Sequence, residues 1–158
     1  RICPDFTRIP SVESPYLVFE SITIGDPIKL GSRTIQAIAA NHVVPSVGYW
    51  VDSGRGSLIF TGDTSSNDRL WQFANGCQNL RYLLIETAFA NRDRSVAEAS
   101  KHLYPLQLAD ELKKFTGQAE VYVTHMKPGE EDSIMAEIVA AVIGRSPQAL
   151  GHGHVFEL

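Results

Sequence analysis

Apolar and polar positions in the first sixty residues alternate in short runs. Residues 16–24 (YLVFESITI) alternate as a strand does, and Gly25-Asp26-Pro27 closes the run. Residues 28–30 and 33–40 flank Gly31-Ser32, which reads as a hairpin. Residues 47–51 (VGYWV) and 57–60 (SLIF) flank Asp52-Ser53-Gly54-Arg55-Gly56, a second hairpin. The pattern then changes period. Leu70, Trp71 and Phe73 are spaced as on a helix, and residues 82–85 (YLLI) form a continuous apolar run, the mark of a strand covered on both faces. Residues 95–100 predict a short helix. Pro105 opens another, running to about Phe115, with Leu108 and Leu112 four apart. Residues 119–123 predict a buried strand, and Glu130, Glu131 and Asp132 start a helix striped by Ile134, Ile138 and Val142. Residues 155–158 predict a last strand. Hairpins followed by alternating strand and helix predict an α/β layered domain.

The strand ends carry the candidate chemistry. Residues 33–40 run into His42, 57–60 into Asp63, 82–85 into Glu86, and 119–123 into His125. In layered α/β folds the loops after strand carboxyl ends gather at one edge, where sites form. Imidazole nitrogen and carboxylate oxygen suit a divalent metal. Gaps of 21 residues (His42 to Asp63) and 62 residues (Asp63 to His125) are too long for a local metal finger, so only the fold can assemble the set. Each residue also has a plainer reading: a solvated strand end, or for Asp63 an N-cap before Thr64-Ser65-Ser66.

Composition narrows the field. Of 158 residues 44% are hydrophobic and 20% charged, a globular balance that argues against overall disorder. Fourteen basic against 18 acidic residues give a net charge of −4, which argues against attachment to nucleic acid by bulk charge. No apolar run approaches the roughly 18–20 residues that a membrane-spanning helix needs. Cys3 and Cys77 form no CxxC pair, and reduced thiols in a cytoplasmic protein are expected. The chain opens on Arg1, and its methionines are Met126 and Met135, so a piece of a longer protein is expected.

Residues 41–51 (NHVVPSVGYWV) with 57–64 (SLIFTGDT), 83–89 (LLIETAF), 101–112 (KHLYPLQLADEL) and 121–128 (VYVTHMKP) resemble, in that order, segments of the metallo-β-lactamase fold. The likeness is to the branch that includes class II cyclic-nucleotide phosphodiesterases and tRNA 3′-processing endonucleases, and it covers residues 16–158. It implies a four-layer αββα sandwich, with two divalent metal ions, zinc first and manganese or iron compatible. His42 would bind the first metal, Asp63 bridge both, and His125 bind the second. His102 would serve the substrate phosphate as general acid or ligand, with Glu86 orienting it. The implied reaction is hydrolysis of a 3′,5′-cyclic nucleotide to a nucleoside 5′-monophosphate by water that the metals activate.

The resemblance has a gap. The family motif His-x-His-x-Asp-His is missing, and the one His-x-His, His152-Gly153-His154, reads as a loop entering the last strand. The expectation is that residues 1–158 are the carboxy-terminal part of one domain whose amino-terminal part is cleaved, separate or omitted. That half or a partner chain would be needed, a homodimer is compatible, and the chain alone would bind metal weakly and turn over little. The rival readings are a tRNA-processing nuclease, an ester, lactone or thioester hydrolase, and an inactive half-domain. The 20 residues between His42 and Asp63 leave no room for an RNA-gripping arm there.

Overall fold

The computed structural model describes residues 4–158. Its single sheet holds seven strands in chain order: β1 (Pro27–Leu30), β2 (Arg33–Ala39), β3 (Val47–Asp52), β4 (Ser57–Phe60), β5 (Leu80–Glu86), β6 (Glu120–Thr124) and β7 (Gln148–Ala149). The first four are antiparallel, and β4 to β7 run parallel. The switch follows from the connections. Short polar turns can only fold a chain back on itself, whereas α1 (Asp68–Gly76) after β4 gives the length that a parallel crossover needs. A short α2 (Arg94–Ser100) and α3 (Pro105–Leu112) lie between β5 and β6, and α4 (Glu131–Ala141) lies between β6 and β7.

Strand register sorts side chains onto two faces. Ile38, Ile59, Leu83 and Val121 point to the helices, where they meet Leu70 and Trp71 of α1, Leu108 and Leu112 of α3, and Ile134 and Ile138 of α4. Ile59, Leu83, Leu108, Ile134 and Ile138 are fully buried, each worth roughly 1.5–3 kcal/mol. The other face carries the cross-strand row Ala37, Tyr49, Phe60, Leu84 and Tyr122. Tyr49 and Phe60 remain 37% and 40% exposed there. The described residues thus make two layers, one of helices and one sheet.

Two predicted strands are absent. Residues 16–24 alternate as a strand would, yet Tyr16, Val18 and Phe19 stand exposed, and the backbone of Tyr16 and Leu17 bonds only to Ile9 and Phe6. Alternation needs a neighbouring strand, and β1 is paired with β2 alone. Residues 155–158 form no strand either, because the short β7 takes the place beside β6. Phe156 lies over the sheet instead, 4.9 Å from the Tyr82 ring and 5.1 Å from that of Tyr122. His154 joins this group, 4.8 Å from Tyr122. Helix α3 ends at Leu112, short of Phe115. The Cys77 thiol is free and half-buried, against the Phe73 carbonyl, while Cys3 lies outside the described residues.

One buried carboxylate joins α1 to α3. Glu111 is 4% exposed. It accepts from Trp71 Nε1 at 2.5 Å, from Ser66 Oγ at 2.6 Å, from the Asn67 N–H at 3.2 Å and from Lys114 Nζ at 2.7 Å. Asn67 in turn caps α1, accepting from the Leu70 N–H and donating from Nδ2 to the Ala39 carbonyl. The cap is therefore Asn67 and not Asp63. Burial pushes the Glu111 carboxyl up, but Lys114, Ser66, Trp71 and the Asn67 N–H outweigh it and hold it below 4.5. A lowered carboxyl contributes stability above its unfolded value and loses it as pH falls through the folded one. Glu111→Gln is expected to lower the unfolding free energy by about 2 kcal/mol at pH 7. That deficit should shrink below about pH 4.5, as read from urea midpoints across pH.

Candidate metal centre

Strands β2, β4, β5 and β6 point the same way, because two antiparallel steps separate β2 from β4 and the rest are parallel. Their carboxyl ends therefore share one edge, and His42, Asp63, Glu86 and His125 arrive there from four chain segments. His102 comes from the junction of α2 and α3. Ligand atoms of His42, Asp63 and His102 lie within 4.8 Å of one another. His125 Nε2 stands 3.7 Å from Asp63 Oδ1, and its ring stacks on His102 at 5.2 Å and 21°. The structure thus brings His42, Asp63, His102 and His125 together at one edge, with His102 grouped directly with His42 and Asp63. His152 and His154 are not part of it.

The backbone explains the positions. Gly62 has φ +62°, and a Cβ there would stand 2.7 Å from the Val47 carbonyl oxygen. A Cβ on Gly48 would stand 2.5 Å from the Phe60 carbonyl oxygen. The end of β4 crosses β3 at glycine contact, and the tight turn this allows brings Asp63 to the edge. Lys101 ends α2 in the left-handed conformation, φ 55°. The His102 N–H closes the helix on the Ala97 carbonyl at 2.8 Å. The Lys101 carbonyl is left facing His42 Nδ1 at 3.2 Å. A carbonyl only accepts, so Nδ1 carries the proton and His42 Nε2 keeps a lone pair, the tautomer of a metal ligand. His125 is also left-handed, φ 60°, and such non-glycine residues concentrate at functional sites.

Glu86 is 1% exposed at the end of β5. Its Oε1 accepts from the Thr64 N–H at 3.0 Å and meets His102 Nδ1 at 2.8 Å. Its Oε2 accepts from the N–H groups of Ala88 at 3.1 Å and Leu103 at 3.3 Å. Burial raises its carboxyl to about 8, against the Thr64 and Leu103 N–H groups and His125, with Asp63 adding to the rise. Burial also lowers His102, opposed by Asp63 and reinforced by His42. The Glu86 contact occupies Nδ1 and leaves Nε2 as the other ring nitrogen of His102. Thr64 and Asn41 were not singled out from the sequence. The Thr64 hydroxyl accepts from the Asn41 N–H at 2.9 Å, and Lys101 Nζ reaches Asn41 Oδ1 at 3.3 Å. Polar residues directly beside His42 and Asp63 were the available signal.

Nitrogen and oxygen donors from His42, Asp63, His102 and His125 fit a divalent metal such as zinc.

No family profile and no curated relative matches the chain in sequence. Solved structures do match it. The metallo-β-lactamase fold protein YhfI from Bacillus subtilis aligns with a TM-score of 0.71 at 21% identity, over 85% of this chain and 52% of that one. The short form of human tRNase Z aligns at 0.59 and 16% identity, over 82% and 45%. Zinc-bound PqqB from Methylobacterium extorquens aligns at 0.59 and 14% identity, over 88% and 52%. The chain has the metallo-β-lactamase fold, and it spans about half the length of these structures.

Asp63→Asn is expected to weaken zinc binding at least tenfold, read by equilibrium dialysis and elemental analysis, with the urea midpoint little changed. Gly62→Ala is expected to lower both zinc content and stability, the latter by about 1–2 kcal/mol, because the new Cβ meets backbone. Unaltered zinc content in either protein would detach these residues from the centre.

Proposed function

We propose that the chain carries the carboxy-terminal part of a metal-dependent phosphodiesterase. Its preferred substrate is a 3′,5′-cyclic nucleotide, and its product a nucleoside 5′-monophosphate. The observation that carries this reading is the pair of buried Glu86 and part-buried His102 beside His42 and Asp63. It sets an imidazole, oriented by a buried carboxyl group, against a cluster of side chains able to hold a metal.

In this reading His42, Asp63 and His125 hold two divalent ions, zinc first, together with ligands from an amino-terminal part. Bound divalent ions supply an activated water and offset charge on the phosphate oxygens. The chain's own groups do the rest. Glu86 fixes the His102 ring through Nδ1 and keeps a proton available to it. His102 Nε2 contacts a phosphate oxygen, and through it the proton passes to the leaving oxygen. The half-exposed Tyr49 and Phe60 form the sheet face on which the amino-terminal part would pack. A homodimer could serve the same end. We place the enzyme in the cytoplasm; no helix among the described residues is long and apolar enough to cross a membrane. The connection from His42 to Asp63 is filled by the β3–β4 hairpin, which favours a small substrate over tRNA.

The zinc-loaded protein, joined to its amino-terminal part, is expected to hydrolyse cyclic nucleotides and bis(4-nitrophenyl) phosphate. The 158 residues alone should fall below ordinary turnover of roughly 1–1000 per second. His102→Ala should lower kcat by about 10²–10⁴ while zinc content holds. Loss of zinc instead would make His102 a ligand, and turnover of thioesters or lactones with none of phosphodiesters would overturn the substrate class.

A further inference from the structure

The metal centre opens on one side into a pocket of about 290 Å³, near the lower limit of roughly 300 Å³ for small-molecule sites. His102 and His125 line its inner end, and Ala88, Phe89, Met126 and Pro128 line the remainder. Its width is set by the sheet. The loops after the parallel neighbours β5 and β6 run side by side, laced by the Thr87 N–H on the Thr124 carbonyl and the Lys127 N–H on the Ala88 carbonyl, both 3.0 Å. The left-handed turn at His125 starts the second loop. Rings form a continuous wall: His125 stacks on His102, and Phe89 meets His102 edge-on at 5.8 Å and 63°. Half-buried Met126 packs on the core and offers a polarizable thioether.

Charge is balanced at the rim. Lys127 also lines the pocket, but its ammonium is held by Glu130 at 2.7 Å, and Glu130 takes Arg92 as well. No carboxylate is among the lining residues. Such a pocket suits an uncharged, flat group, since aromatic rings and a thioether repay an aromatic partner and a free charge would find no counterpart.

We propose that this pocket receives the uncharged aromatic group attached to the scissile phosphate, such as a nucleobase, and that Phe89 and Met126 set the preference for it. The inference rests on the phosphodiesterase reading, which puts the phosphate at His102. The pocket then begins where the phosphate ends, so the substituent enters between the two loops.

Calorimetry on the zinc-loaded protein, with its amino-terminal part, tests this with adenosine 5′-monophosphate, ribose 5-phosphate and inorganic phosphate. Adenosine 5′-monophosphate is expected to bind on the order of tenfold tighter than ribose 5-phosphate, the scale of one aromatic stacking contact. Phe89→Ala and Met126→Ala should each bring that ratio near unity, and Met126→Leu should restore part of it. Equal affinities in the unsubstituted protein, or a ratio that all three substitutions leave intact, would overturn the proposal. If no phosphate compound binds, the phosphodiesterase reading fails, and the pocket is judged by adenosine alone. A shift of the Met126 methyl resonance on adding adenosine, lost in Phe89→Ala, supports the pocket, and no shift overturns it.

Discussion

The Glu86 carboxylate joins three stretches of chain that are distant in sequence. Its oxygens take the N–H of Thr64 beyond β4, the N–H of Ala88 beyond β5, the N–H of Leu103 at the entry to α3, and His102 Nδ1. A carboxyl group with 1% exposure carries a large desolvation cost, and these donors offset it. The same bonds fix the positions of the flanking residues. Asp63 precedes Thr64, Phe89 follows Ala88, and His102 precedes Leu103. Removing the carboxylate would leave the Thr64 and Leu103 N–H groups unpaired, while the Ala88 N–H keeps the Leu103 carbonyl, so the arrangement has no cheap alternative. The position of the His102 ring and the local fold therefore rely on one group.

Much of this was legible in the sequence, for reasons that differ by region. The apolar runs of β5 and β6 and the stripes of α1, α3 and α4 were readable because burial on a helix-covered face is a local property of the chain. The placing of His42, Asp63 and His125 at one edge was legible because each follows a strand whose direction the topology constrains. Residues 16–24 misled because alternation records a surface suited to pairing, not the presence of a partner. Residues 155–158 misled for a related reason, since Phe156 uses its ring against Tyr82 and Tyr122 without joining the ladder. The closeness of His102 to His42 and Asp63 was not legible at all. It depends on the turn at Lys101, a residue that composition would not place in a left-handed conformation.

The two sheet faces differ in how completely they are covered. The helix side is closed by α1, α3 and α4, and its large side chains are almost wholly buried. The opposite face keeps Tyr49 and Phe60 partly open while burying Ala37 and Leu84, and the tail at Phe156 covers only the part near Tyr82 and Tyr122. The metal-ligand side chains sit at the edge between the two faces, where residues from a second layer could reach them.

Lys101 links two imidazoles through one peptide unit. Its carbonyl orients His42, and the next nitrogen belongs to His102 and is bound to Ala97 inside α2. A displacement at the end of α2 therefore bears on both imidazoles, on His42 through the Lys101 carbonyl and on His102 through its backbone, while Glu86 holds the His102 ring. The end of a seven-residue helix is thus a common anchor for two rings that stand sixty residues apart in the chain.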